Sequence, residues 1–109
     1  MIHEHSVAAA TAVVGYNLIQ DEWYEELGFG REIVGFALTG SAAAGDTEVK
    51  IKIGTQDFGS IFNSATGLPD MDDVKPTGRI PVGSGVPIRL EVVDAPATNP
   101  INLLLVTRP

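Results

Sequence analysis

Cysteine is absent from this 109-residue chain, so it can form neither a disulfide framework nor a thiolate metal site. Histidine occurs only at positions 3 and 5, tryptophan only at 23. Basic residues are scarce: 7 Lys and Arg face 14 Asp and Glu, a formal charge of −7. Phosphate backbones and anionic lipid surfaces attract proteins through Lys and Arg, so neither a nucleic acid nor a membrane is an expected partner. No stretch is long enough to span a bilayer as a helix, which takes about 20 apolar residues. The apolar run from Val7 to Ile19 is interrupted by Thr11, Gly15 and Asn17. It has no basic residues ahead of it and leads straight into Gln20-Asp21-Glu22, so it does not read as a signal peptide.

What is present suits one domain over residues 1–109. The chain is 44% hydrophobic, and at this length folding buries roughly 65% of the unfolded surface, enough for a core. Turn-forming clusters recur at Gly40 to Asp46, Gly54 to Asp57, Asn63 to Asp73, Gly83 to Gly85 and Asp94 to Pro100. Short runs of Val, Ile, Phe and Leu lie between them, and this rhythm predicts an all-β antiparallel sandwich without long helices. Val49, Ile51 and Ile53 alternate with Lys50 and Lys52, and Ile88, Leu90 and Val92 with Arg89, Glu91 and Val93. In Glu32 to Thr39, Val34, Phe36 and Leu38 are expected on one face, opposite Ile33, Gly35 and Ala37. Phe58 to Phe62 reads as a shorter strand. Ile80 and Val82 flank Pro81, which demotes their strand toward an edge. Residues 1–19 read as an extended N-terminal strand or arm. The long mid-chain loop at Asn63 to Asp73 suits the crossover between two halves of a jelly roll, which is favoured over an immunoglobulin-like Greek key.

The last strand carries more apolar surface than one face needs. Ile101, Leu103 and Leu105 can face a core, which leaves Leu104 and Val106 on the other side. Their cover must come from the chain's own N-terminal segment or from another subunit. Val7, Val13, Val14, Trp23, Tyr24, Leu104 and Val106 are therefore the expected interface residues.

Residues for chemistry are sparse. Asp70, Asp72 and Asp73 put three carboxylates in one loop, a weak calcium candidate without the full spacing of a calcium loop; as turn caps they need no metal. His3 and His5 share a face of an extended strand, but two imidazoles make half a metal site. No metal or cofactor is assigned. A nucleophile, a base and an orienting partner are not assembled, and no Gly-x-Ser-x-Gly elbow occurs, so no enzymatic activity is expected. Trp23 and Tyr24, amid Asp21, Glu22, Glu25 and Glu26, suit a plug for the sandwich end, a subunit contact or a sugar-stacking platform.

The run Val34-Gly-Phe-Ala-Leu-Thr-Gly-Ser-Ala-Ala-Ala-Gly-Asp-Thr-Glu-Val49, followed by Phe58-Gly-Ser-Ile-Phe-Asn63, Pro81-Val-Gly-Ser-Gly-Val86 and Asp94-Ala-Pro-Ala-Thr-Asn-Pro100, resembles small all-β virion proteins of bacterial and archaeal viruses. Those include jelly-roll cement and minor capsid proteins. The resemblance implies a non-enzymatic virion subunit, a decoration or minor capsid protein that forms homo-oligomers and contacts other capsid proteins. The alternative expectation is a carbohydrate- or receptor-binding sandwich module.

Overall fold

A computed structural model describes residues 1–109. Seven strands form: β1 (Ile2–Val7), β2 (Arg31–Gly40), β3 (Glu48–Ile53), β4 (Gln56–Phe62), β5 (Lys75–Val82), β6 (Ile88–Asp94) and β7 (Ile101–Arg108). The only helical element is a 3₁₀ turn at Met71–Asp73. Two antiparallel sheets face each other, one ordered β1-β7-β2-β5 and the other β4-β3-β6.

The pairings nest. β1 pairs with β7, β2 with β5, and β3 with β4 as the innermost hairpin. Between the first two pairs the chain at 15–18 runs antiparallel beside β6. Gly15 N–H donates to Val92 O (2.8 Å), Val92 N–H to Tyr16 O (2.9 Å) and Leu18 N–H to Leu90 O (2.9 Å). Asn17 bridges to Glu91 there. Its side-chain oxygen accepts from Ile19 N–H and Leu90 N–H, replacing ladder bonds that an irregular strand cannot make.

Alternation fills the core as the residue pattern dictates. Val49, Ile51 and Ile53 of β3 and Ile88, Leu90 and Val92 of β6 meet Phe36, Leu38, Leu103 and Leu105 across the sandwich. One face assignment changes. β2 shifts register between Ile33 and Gly35 against both neighbours. Against β7 the extra residue is Val34, whereas against β5 the two extra residues lie on β5; Ile33 joins the core and Val34 is left half-buried. A bulge inverts the parity of everything beyond it.

The N-terminal segment is an integral strand rather than an arm. β1 lies along β7 from Ile2 opposite Val106 to Val7 opposite Ile101, and the chain turns away at Ala8, whose carbonyl accepts from Thr11 and Ala12. The cover over the outer face of β7 is also internal. Thr39, Asn102, Ala37, Leu104, Gly35 and Val106 sit on that face as cross-strand pairs. The loop 63–74 folds over them: Gly67 O accepts from Thr39 Oγ1 (2.8 Å) and Asn102 Nδ2 (3.0 Å), and Gly40 N–H donates to Ala65 O (2.9 Å). At its far end Val74 lies where a Gly35 Cβ would be, 2.7 Å from that position. Leu104, between these anchors, is 4% exposed and Val106 is half-buried. The expectation that Leu104 waits for a neighbour is thus corrected, because the chain supplies its own lid.

Candidate functional site

The two sheets close on one side and stay open on the other. β4 is the last strand of one sheet and β5 of the other, and almost all of β4 is exposed. Between them lies a cleft of about 290 Å³. Its floor is core, made by Phe36, Ile51 and Ile80; Phe58 and Ile61 of β4 form one wall, and Lys75 to Thr77 of β5 the other. β4 shifts register between Asp57 and Ser60, and Gly59 there takes φ +105°, a backbone state a side chain would strain.

Charge is uneven around this cleft. Lys50 pairs with Asp57, Lys52 and Arg89 with Glu91, and Arg108 with Glu32. Lys75 and Arg79, both exposed on β5, have no carboxylate partner within 4.0 Å. The backbone bond from Gly59 and the neighbouring Lys50 hold Asp57 below its usual range. Arg89 and then Lys52 do the same for Glu91.

A second feature sits at the opposite margin, beside β1. The loop from Ile19 to Gly30 is tied to the barrel end: Ile88 N–H donates to Glu25 O, Gly85 N–H to Leu27 O, and Ser84 Oγ to Gly28 O. His3 stacks on Tyr24 with ring centroids 4.1 Å apart, and Trp23 meets both rings edge-on, at 5.2 Å from His3 and 5.5 Å from Tyr24. His5 Nδ1 lies 3.0 Å from Glu22 Oε1. Both histidines thus turn toward this loop, one against rings and one against a carboxylate. Tyr24 is buried, and burial followed by the Glu22 charge pushes its hydroxyl up to about 12. Burial, then Arg31 and the terminal ammonium, hold His3 below its ordinary value. Burial and Asp21 push the Glu25 carboxyl up, against Arg89 and the bond from Asn17.

Trp23 stands out at 62% exposed, amid Asp21, Glu22, Glu25 and Glu26. It is plug-adjacent rather than plug: Tyr24 fills the barrel end and Trp23 leans on it. A two-ring sugar platform is not formed, because only one of the two rings reaches solvent. Of the expected interface residues, Val13, Val14 and Trp23 are exposed, whereas Val7, Tyr24 and Leu104 are buried within one chain. Val7 is opposite Ile101 in the core, Tyr24 lies under His3, and Leu104 lies under the 63–74 loop.

The acidic loop folds on itself. Asp70 Oδ1 accepts from Asp72 N–H (2.8 Å) and Asp73 Oδ2 from Asp70 N–H (3.0 Å), so two of the carboxylates cap the 3₁₀ turn. The three do not converge as a ligand set. The β4–β5 cleft was missed by sequence reasoning. Its only linear signal is Phe58 and Ile61 on a strand next to a long loop, a pattern equally suited to a covered strand. No protein-family model and no curated protein matches the chain.

Proposed function

We propose that the chain is a structural virion protein of the minor capsid or decoration type, a non-enzymatic subunit that self-associates and contacts other capsid proteins on a shell. We assign it the jelly-roll topology. Its nested pairs alternate between the two sheets, with the 15–18 stretch counted as the eighth strand, as in a ribbon wrapped around a barrel. Jelly rolls serve capsids and lectins alike, so the fold alone does not choose between them.

The observation that carries the reading is apolar surface left over after the chain has covered itself. Val13, Val14 and Val93 are exposed together, brought close by the Gly15–Val92 bond. Trp23, Phe29, Phe58, Phe62, Leu68 and Met71 are exposed as well. Exposed apolar residues scattered singly are ordinary, whereas contiguous apolar patches mark contact surfaces, and Val13, Val14 and Val93 are the clustered ones here. A virion subunit surrounded by neighbours uses more than one face. Light scattering on the purified chain tests this: masses of several times 11.5 kDa are expected, and a strict monomer at high concentration overturns the proposal.

A further inference from the structure

The cleft and the Trp23 loop carry charges of opposite sign, and they lie on opposite margins of the same molecule. In the sheet β1-β7-β2-β5 the cleft belongs to the β5 margin and Trp23 packs against His3 of β1. Three strand spacings separate them, roughly 14 Å, so one chain cannot fill its own cleft with its own tryptophan.

Each half is incomplete alone. The cleft opens onto Phe36, Ile51 and Ile80, and its β5 wall carries Lys75; Arg79 is exposed further along β5, and neither has a counter-charge. At about 290 Å³ it sits just under the range of roughly 300–1,000 Å³ typical for drug-sized ligands. That size suits one large side chain better than an extended ligand. Strand addition is poorly served there. Pro76 and Pro81 remove donors from β5, its charges guard the edge, and the irregularity at Gly59 breaks β4. Trp23, in turn, is a large ring braced edge-on by His3 and Tyr24, so little rotamer entropy is lost on docking. Its loop carries Asp21 and Glu26, both exposed, beside Glu22, which is held by His5, and Glu25, which accepts from Asn17. A buried indole ringed by charged contacts is a common form of interface anchor.

We propose that the occupant of the β4–β5 cleft is Trp23 of a second copy, its acidic loop set against Lys75 and Arg79. This rests on the self-associating role proposed above and names its contact. Every copy then offers one knob and one hole on different margins. The contact is head-to-tail, so copies add in one direction and form a ring or a filament rather than a two-fold pair.

Two variants test it: Trp23→Ala, which loses the knob, and the Lys75→Glu/Arg79→Glu double variant, which reverses the hole. All three positions are exposed, and an unchanged circular-dichroism spectrum and melting temperature confirm folding. The wild type is expected to associate, and each variant to fall to the monomer mass. Mixed in equal amounts, the two are expected to form a dimer and nothing larger, since only one competent knob and one competent hole remain. Trp23 is the sole tryptophan, so the emission of the double variant should shift to shorter wavelength when Trp23→Ala is added. If the wild type associates but the mixture stays monomeric, or Trp23→Ala associates like the wild type, this contact is wrong and the structural role stands. A monomeric wild type sinks both.

Discussion

His3 is the residue whose chemistry is most constrained by its place. It is 4% exposed, its ring lies on Tyr24, and its Nε2 is 3.4 Å from Thr107 Oγ1. The charges near it are cationic: Arg31 and the terminal ammonium. Arg31 itself is 5% exposed, donates from Nη2 to Glu25 O (3.2 Å), and leaves Nε and Nη1 without protein partners. A proton on His3 therefore enters a desolvated, already positive neighbourhood. Folding holds its pKa below the ordinary 6.5, so the unfolded chain binds the proton first as pH falls. Stability contributed by neutral His3 is complete above about 6.5 and is lost as pH drops through 6.5 toward the folded value. Glu25 works in the opposite sense: its raised pKa favours the fold below 4.5 and that contribution disappears as pH rises through the folded value. Asp57 and Glu91, held low, contribute above their ordinary values of 3.8 and 4.5 and lose that in stronger acid. Melting temperature should therefore fall between about pH 7 and pH 5 in the wild type. His3→Phe, which keeps a ring on Tyr24 but cannot titrate, should lose most of that slope. An equally steep slope in the variant would assign it to other groups.

At the scale of elements, the buried side chains of Asn17 and Asn63 do what regular ladders cannot. Asn63 sits where β4 ends, and its Oδ1 accepts from Thr47 N–H (2.9 Å) while its Nδ2 donates to Gly40 O (2.9 Å) and Ala43 O (2.8 Å). One side chain thus joins the end of β2, the turn after it and the start of β3, and it anchors the loop that covers Leu104. A stranded buried polar group costs about 1–3 kcal/mol, so Asn63→Ala should lose about 3 kcal/mol in urea unfolding. Ser60→Ala, at an exposed position, should change stability by less than about 0.5 kcal/mol. A loss below about 1 kcal/mol for Asn63→Ala would mean the three backbone groups find other partners. The strands themselves were legible because burial on one face imposes a period of two, which is visible in Val49-Lys50-Ile51-Lys52-Ile53 and Ile88 to Val92. The two-faced character of β7 was legible as well, since Leu104 and Val106 cannot both be wet. What covers them was not, because a polar loop from Asn63 to Asp73 carries no periodic mark of the sheet it lies on. Nor was the bulge at Val34, which depends on the pairing with β7. Exposure of Trp23 and burial of Tyr24 are likewise decided by His3, twenty residues earlier in the chain.

For the whole molecule, net charge and local charge pull in different directions, and salt separates them. Two copies at −7 repel each other at long range, yet the contact proposed here sets Lys75 and Arg79 against an acidic loop. The Debye length is about 30 Å at 0.01 M salt, about 10 Å at 0.1 M and about 3 Å at 1 M, while the molecule measures 36 × 27 × 22 Å. At the lowest salt every charge on one copy feels the other and repulsion opposes association. Near 0.1 M the distant charges are screened while groups within the contact still attract. At 1 M that attraction is screened too, and only the apolar seat of the indole remains. Association by sedimentation should therefore be strongest at intermediate salt and weaker on both sides. The Lys75→Glu/Arg79→Glu variant, monomeric on its own, should show no such maximum, because no attraction is left at the contact for intermediate salt to favour. A wild-type association that rises steadily to 1 M would show that the copies meet through apolar surface alone, without an attraction between the acidic loop and Lys75 and Arg79.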